Sequence, residues 1–299
     1  MLSERQSGSV GTAMAAAFEL LRASGSPTPR LDAELLIGHV TGHDRAWVLA
    51  HPESVLAPEA LDALRTSLDR RATGVPIAYI RGYKEWLSLR IRTDARALVP
   101  RPETELLDAA AMAAIAARLQ HADGAVVAWE VATGSGAVAV ALALRFREAL
   151  ERGALTLIVS DASAEALELA AENLEAHEVA RLVTLLDADL LALAGASAPR
   201  PHVVVANLPY LSTEEVDAAE GSLAHEPRIA LEGGPEGLEL LRRLFAELPG
   251  RVEPHATVLL EVALGQADAV EGLAPPGATV ERLPDLGGVP RVVVVRLPS

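Results

Sequence analysis

A chain of 299 residues, half of them apolar, is long enough for one large domain or for a small domain joined to a medium one, with ample material for a core. Its 26 Lys and Arg against 41 Asp and Glu leave a formal charge of -15. That is the wrong sign for a protein that gains affinity by displacing counterions from a phosphate backbone, so nucleic acid is not an expected partner. The lack of any cysteine excludes disulfides, thiolate metal sites and cysteine nucleophiles.

The polar stretch Met1 to Val10 has no apolar core of the kind a signal peptide carries. The apolar runs Ala109 to Ala117 and Ala137 to Leu144 are alanine-rich and too short for a membrane span, so a cytoplasmic protein without a membrane partner is expected. From Thr12 to about Arg71 only helical patterning is found. Ala13 to Arg22 is a good helix former that stops at Ser24-Gly25-Ser26-Pro27. Leu31, Leu35, Leu36 and Val40 recur at helical spacing, with Asp32 and Glu34 in the first turn, where the helix dipole favours acids. Another helix follows Pro58 and lines up Leu61, Leu64 and Leu68. A small all-α bundle is therefore expected over residues 1–73. His39 and His43 within it lack a third ligand, and no metal site is expected.

Residues 74–94 are punctuated by Gly74, Pro76 and Gly82, and the β-rich pieces Ile77 to Ile80 and Trp86 to Ile91 predict a β-hairpin linker. Over 95–299 short apolar runs alternate with helices. Val126 to Val131, Leu155 to Ser160, Val183 to Leu186, Val203 to Ala206 and Val258 to Val262 read as buried parallel strands, with helices such as Gly136 to Leu150 and Ala164 to Ala176 between them. This alternation predicts an α/β fold built on a doubly wound sheet. Thr279 to Leu283 and Arg291 to Leu297, separated by the turn at Pro284 to Pro290, predict a terminal antiparallel pair.

In such a sheet a ligand binds beyond the C-terminal ends of the strands, near the point where strand order reverses. The first strand runs into Glu130-Val131-Ala132-Thr133-Gly134-Ser135-Gly136 and then a helix. Small residues there admit a ligand to the backbone, and the helix start offers free N–H groups. The spacing Gly134-x-Gly136-x-x-Ala139 also fits a dinucleotide fingerprint. Asp161, at the tip of the next strand, is placed to accept hydrogen bonds from ribose hydroxyls, since Ser163 can cap the following helix by itself. Asp189 and Leu190 follow the third strand where an adenine ring would lie, and they read equally as loop residues.

Asn207-Leu208-Pro209-Tyr210, directly after the strand Val203 to Ala206, separates the two nucleotide readings. An Asn with a Pro and an aromatic at a strand end, opposite a glycine loop, is the constellation that methylates an NH2 group on a planar sp2 system. The lone pair of such a nitrogen is delocalised and weakly nucleophilic. The Asn207 side-chain oxygen and the Leu208 carbonyl can each accept one N–H and aim the lone pair at a methyl carbon. Pro209 stiffens the turn and Tyr210 can stack on the planar group.

Beyond the site, Pro29-Arg30-Leu31-Asp32-Ala33-Glu34-Leu35-Leu36, Gly74-Val75-Pro76-Ile77-Ala78-Tyr79-Ile80 and Leu98-Val99-Pro100-Arg101-Pro102-Glu103-Thr104-Glu105 form longer signatures. Glu226-Pro227, Gly233-Gly234, Gly237-Leu238, Glu261 and Gly265-Gln266 follow in order. With these, the chain resembles the peptide chain release factor N5-glutamine methyltransferases from about Thr28 to Leu297. The resemblance implies a Rossmann-like sheet that uses S-adenosylmethionine and gives S-adenosylhomocysteine. It implies as substrate the glutamine of the Gly-Gly-Gln tripeptide of class I release factors, and a monomer. By this likeness Glu130, Ala132, Thr133, Gly134, Ser135, Gly136, Asp161, Asp189, Leu190 and Asn207 would hold the donor. Asn207 to Tyr210, with Arg101 and Glu103, would meet the substrate, and the bundle would help to grip it. Two positions depart from the family pattern: Leu208 stands where Asn-Pro-Pro-Tyr has its first proline, and Ala132 replaces the first glycine of the loop. Asn-Leu-Pro-Tyr is also the form found in ribosomal RNA adenine dimethyltransferases, so an adenine N6-methyltransferase on RNA or DNA is the alternative, beside a ribosomal protein glutamine methyltransferase. A noncatalytic module that binds the donor or a translation factor is a third reading.

Overall fold

A computed structural model describes residues 8–121, 124–192 and 199–299; the first seven residues of the polar N-terminal stretch lie outside this description. The chain forms two compact units, Met1–Tyr83 with Ala219–His225, and Lys84–Ala218 with Glu226–Ser299.

The first unit is helical: α1 (Val10–Ala23), α2 (Pro29–Thr41), α3 (Arg45–Ala50), α4 (Pro58–Ala72) and α5 (Ile77–Arg81). Its starts are capped as the composition suggests, with Ser9 accepting from the Thr12 N–H, Asp44 from the Trp47 N–H, and proline in the first turn of α2 and α4. Leu21, Leu36, Ile37, Leu64 and Leu68 pack its core. Two acids of α2 are buried and both meet arginine. Asp32 accepts from Arg71 Nε at 2.7 Å and from the hydroxyls of Ser26 and Thr28. Glu34 accepts from Arg30 and Arg45. Arg71 also donates to the carbonyls of Gly74 and Val75 and to the hydroxyl of Ser222, and His225 hydrogen-bonds to the Thr73 carbonyl.

The expected strand at Ile77 to Ile80 is instead the helix α5. Its five residues are too few for periodicity to separate the two forms. Pro76 at its start and Gly82, left-handed at φ 75°, at its end close a single turn that buries Ala78, Tyr79 and Ile80 in succession. The hairpin itself lies just beyond, β1 (Tyr83–Trp86) and β2 (Leu89–Arg92), joined by Leu87 and Ser88, both with positive φ as a two-residue hairpin turn requires.

The second unit continues with α6 (Thr104–His121), β3 (Val126–Val131), α7 (Ala137–Arg145), α8 (Arg147–Glu151), β4 (Leu155–Asp161), α9 (Ala164–Ala176), β5 (Val183–Asp187), β6 (Val203–Ala206), α10 (Thr213–Asp217), α11 (Glu239–Glu247), β7 (Thr257–Glu261), α12 (Ala267–Leu273), β8 (Thr279–Pro284) and β9 (Pro290–Arg296). The single helix expected over Gly136 to Leu150 is two, broken at Phe146. The seven-stranded sheet has the order β5-β4-β3-β6-β7-β9-β8. Neighbours from β5 to β7 pair in parallel, and β9 pairs antiparallel with both β7 and β8. The doubly wound sheet and its terminal antiparallel pair are as expected. Successive residues of β3 face opposite cores: Val126 and Ala128 join one, Val127, Trp129 and Val131 the other. From β3 the chain winds outward to β5 and then returns to β6 on the other side, so the switch point lies between β3 and β6. No helix among the described residues is long and apolar enough to cross a membrane.

Candidate active site

The ends of β3 and β6 meet at the switch point, and both sequence motifs issue from it. After β3, Thr133 N–H donates to the Ser160 carbonyl of β4 and Gly136 caps α7 in a left-handed conformation. A side chain at Gly136 would meet Ala170 of α9 at 3.0 Å, so this position admits only glycine if the loop and α9 are to keep their contact. Asn173 fastens the loop from the same helix, donating to the carbonyls of Ser135 and Arg92 and accepting from the Arg92 N–H. Ala132 has φ 56°, the left-handed conformation that costs an alanine roughly 1–2 kcal/mol.

After β6, Leu208 turns its side chain into the core beneath the sheet. The backbone of Pro209 and Tyr210 then runs so close to the Gly233 to Gly237 turn that a Cβ on Gly237 would lie 2.1 Å from the Tyr210 carbonyl oxygen. Gln266 bridges the two segments, its amide donating to the carbonyls of Tyr210 and Gly237.

Two adjoining cavities open at the switch point. A narrow recess of about 100 Å³ is lined by Glu130, Ala132, Thr133, Gly134, Ser135 and Asp161, and on its other side by Arg101, Thr104, Asn207 and Pro209. A wider cleft of about 560 Å³ shares Ala132, Asp161 and Pro209 and adds Asp189, Leu190 and Leu208. Of the other expected site residues, Gly136, Glu103 and Tyr210 line neither cavity. Arg101 reaches back to the buried Glu226, which also accepts the Val99 N–H, so the Pro-Arg-Pro segment is pinned from beneath. Asp189 pairs with Arg243 at 2.6 Å, a partner 54 residues away that no local pattern announces.

The electrostatics of the recess are unusual. Glu130 accepts from the Thr133 hydroxyl at 3.0 Å, while its other carboxyl oxygen is buried with no donor at ordinary hydrogen-bond distance among the described residues. Burial, reinforced by the charges of Asp108 and Asp161, pushes its pKa up to about 8. Asp108, one turn along α6 from Thr104, likewise has a buried oxygen without a hydrogen-bond partner among the described residues, and burial with the charge of Glu105 pushes it up to about 7. Asp161 is raised by burial too, although its oxygens accept the N–H groups of Gly134 and Ser163, each at 2.9 Å. Ser163 does cap α9, yet Asp161 is not left wholly free, because it also braces the glycine loop. Glu261, at the end of β7, is raised by burial, with hydrogen bonds from Thr104 and Asn207 pulling the other way. Burial and the charge of Glu261 raise the Tyr210 hydroxyl. Thr104 donates to Glu261 at 2.7 Å and accepts from the Asn207 amide at 3.2 Å. Thr104, Asp108 and Glu261 were not singled out as site residues by sequence reasoning. The only signal for them was that Thr104 and Glu261 fall inside family signatures.

A mixed seven-stranded sheet with this order, carrying its cavities and an Asn-x-Pro-Tyr turn at the switch point, defines a Rossmann-like methyltransferase. The hMettl16 catalytic domain in complex with the MAT2A 3′UTR hairpin 1 shares this fold, with a TM-score of 0.51 over 80% of each chain at 10% identity. The family described as PrmC N-terminal domain matches residues 12–82. The release factor glutamine methyltransferase of Moorella thermoacetica is 35% identical over 263 residues, 88% of either chain. That of Xylella fastidiosa is 34% identical over 288 residues, 96% of this chain and 100% of the relative. The chain belongs to the release factor glutamine methyltransferase family, and it is an enzyme of methyl transfer.

Proposed function

We propose that the protein transfers a methyl group from S-adenosylmethionine to the side-chain amide nitrogen, N5, of the glutamine in the Gly-Gly-Gln motif of class I peptide chain release factors, and so modulates translation termination. The observation that carries this reading is the placement of Asn207 at the switch point, its amide held by Thr104 on the wall of a recess whose opposite wall is Glu130. The residues present suit the donor, which carries a sulfonium and an ammonium: among the described residues Glu130 has a buried oxygen within ordinary hydrogen-bond distance of no donor, and buried charges are expected to be paired. Glu130 and the Ala132 to Gly136 loop would hold the methionine portion, Asp161 the ribose hydroxyls, and Leu190 with Asp189 the adenine neighbourhood. When bound, the donor supplies a methyl carbon whose bond to sulfur breaks as its bond to nitrogen forms.

The chain's own residues orient the acceptor. Asn207 Oδ1 and the Leu208 carbonyl accept the two N–H groups of the glutamine amide, which leaves the nitrogen lone pair directed across the recess. The leucine in place of proline does not alter this, since its side chain is spent in the core and only its carbonyl is asked for. Pro209 limits the swing of the turn and Tyr210 covers the amide plane. No tuned base is required, because the methylated amide is strongly acidic until it sheds its extra proton to water. The bundle, together with Arg101 and Glu103, would grip the folded partner. The net charge of -15 favours a protein acceptor over RNA or DNA. We place the enzyme in the cytoplasm as a monomer.

The test is incubation with radiolabelled donor and a purified release factor, either wild type or with its tripeptide glutamine changed, beside an RNA control. Label on the wild-type factor alone is expected, and Asn207→Ala should lower turnover by about 10²-fold. Equal labelling of both factors, or label on RNA, overturns the reading.

A further inference from the structure

An asparagine can serve as an acceptor only if its oxygen faces the substrate. Its amide is nearly symmetric in shape, and a half-turn about the last bond would present NH2 to an incoming NH2, donor against donor. Something must fix the sense of Asn207, and nothing in the Asn-Leu-Pro-Tyr turn itself does so.

We propose that Thr104 and Glu261 are positioning residues that fix the orientation of the Asn207 amide, through a hydrogen-bond chain of one permitted direction. This rests on the acceptor role given to Asn207 above. β6 and β7 pair in register at Ala206 and Leu260, so Asn207 and Glu261 leave the sheet side by side. Thr104, at the first position of α6, stands over both. The geometry is Asn207 Nδ2 to Thr104 Oγ1 at 3.2 Å and Thr104 Oγ1 to Glu261 Oε2 at 2.7 Å, and the Asn207 side chain also hydrogen-bonds to Glu261 itself, a second acceptor that only its NH2 can meet. As a carboxylate, Glu261 accepts and does not donate, so the single hydroxyl proton of Thr104 is committed to it. Thr104 then has only lone pairs to offer Asn207, and the only end of the amide that can meet them is NH2. A flipped Asn207 would set oxygen against oxygen in a place where Thr104 and Glu261 are both buried, leaving a buried acceptor unpaired and a buried NH2 group displaced. The direction of the chain therefore follows from the chemistry of its end member, and it leaves Oδ1 as the atom turned to the recess.

The chain meets the recess at Asn207, on the wall opposite Glu130. Neither Thr104 nor Glu261 belongs to the glycine loop or to the strand tip at Asp161. Loss of the chain should lower the rate of transfer without weakening the hold on the donor.

The experiment uses the full chain. Thr104→Val, which keeps the shape and removes the hydroxyl, is expected to lower kcat about tenfold or more while donor affinity by calorimetry stays within about twofold; Thr104→Ser is expected to restore kcat to within about twofold of wild type. Unchanged kcat in Thr104→Val, or equal loss in Thr104→Ser, overturns the proposal. A second readout does not depend on any substrate. The side-chain amide resonances of Asn207, assigned by their loss in Asn207→Ala, are expected to shift in Thr104→Val and to keep their position in Thr104→Ser. Resonances that stay put in both variants refute the chain even if the release factor proves not to be the substrate. If the wild type labels no release factor but these resonances move, the functional reading fails and the positioning chain stands. Should Thr104→Val not fold, Glu261→Gln replaces it. Glutamine can meet the Thr104 hydroxyl from either end, so an Asn207 signal split between two orientations and a reduced kcat are expected, and one unsplit signal with wild-type kcat overturns the proposal.

Discussion

The two units treat buried carboxylates in opposite ways. In the helical unit, Asp32 is ion-paired with Arg71, and against the upward pull of burial Arg45 and Arg30 hold Glu34 below the ordinary glutamate range. In the sheet unit, Glu130, Asp108, Asp161 and Glu261, in or beside the recess, form no ion pair with an arginine among the described residues, and burial raises all four. The contrast is local, since Glu226, also in the sheet unit, has Arg101. Acids that complete a fold are given their cations by the chain. The acids in and beside the recess are not, and burial without a counter-charge makes each hold its proton more tightly than an exposed carboxyl does.

The contrast can be broken by substitution. The largest effect is expected in the helical unit: Arg71→Met leaves Asp32 buried without its cation and should cost about 3–5 kcal/mol of stability, read by chemical denaturation of the whole chain. Glu130→Gln should do the reverse, leaving stability at neutral pH unchanged or higher while weakening donor binding by about 1.5–3 kcal/mol. A loss of stability in Glu130→Gln comparable to that in Arg71→Met would show the contrast to be false.

The pH dependence sharpens the same point. Glu130 rises from an ordinary 4.5 to about 8 in the fold, so the folded state binds the extra proton between those limits. The stability it contributes is complete below about pH 4.5 and is lost as the pH climbs through about 8. Thermal melts of wild type and Glu130→Gln should therefore agree near the lower limit and separate in favour of the variant towards the upper one. A cation in the recess favours the ionised carboxyl. Donor binding near pH 7 should then release protons, visible in calorimetry as a dependence on buffer ionisation heat that shrinks in Glu130→Gln.

The smallest effect concerns backbone strain. Ala132→Gly relieves the left-handed alanine, at roughly 1–2 kcal/mol, but loosens the unfolded chain by about 0.4–1 kcal/mol, for a net gain of about 0.8 kcal/mol in denaturant unfolding. A loss would mean that the loop is not strained at Ala132, and that the tension of this site is electrostatic alone.

Much of this was legible in the order of residues, and the rest was hidden for physical reasons. Val126 to Val131 and Val203 to Ala206 read as strands because a strand covered on both faces is an unbroken apolar run, and both are observed with those bounds. Ile77 to Ile80 reads as a strand because three β-formers in four residues weigh as much as a single helical turn, and only the flanking Pro76 and Gly82 tell them apart. Asp161 was readable as a strand tip, but its two backbone partners were not. Thr104 and Glu261 are 157 residues apart and meet only because α6 packs against β7, a fact of topology that no local spacing carries.

The helical unit is not one continuous stretch of chain. Residues Ala219–His225 belong to it, and through Ser222 and His225 they satisfy Arg71 and the Thr73 carbonyl. This limits modularity. A fragment ending at Tyr83 would lack its own closing piece, and swapping that unit between relatives by a single cut would pair each bundle with a foreign plug. An exchange that respects the fold must move both segments together, so these two stretches, far apart in the gene, are expected to have been inherited as one.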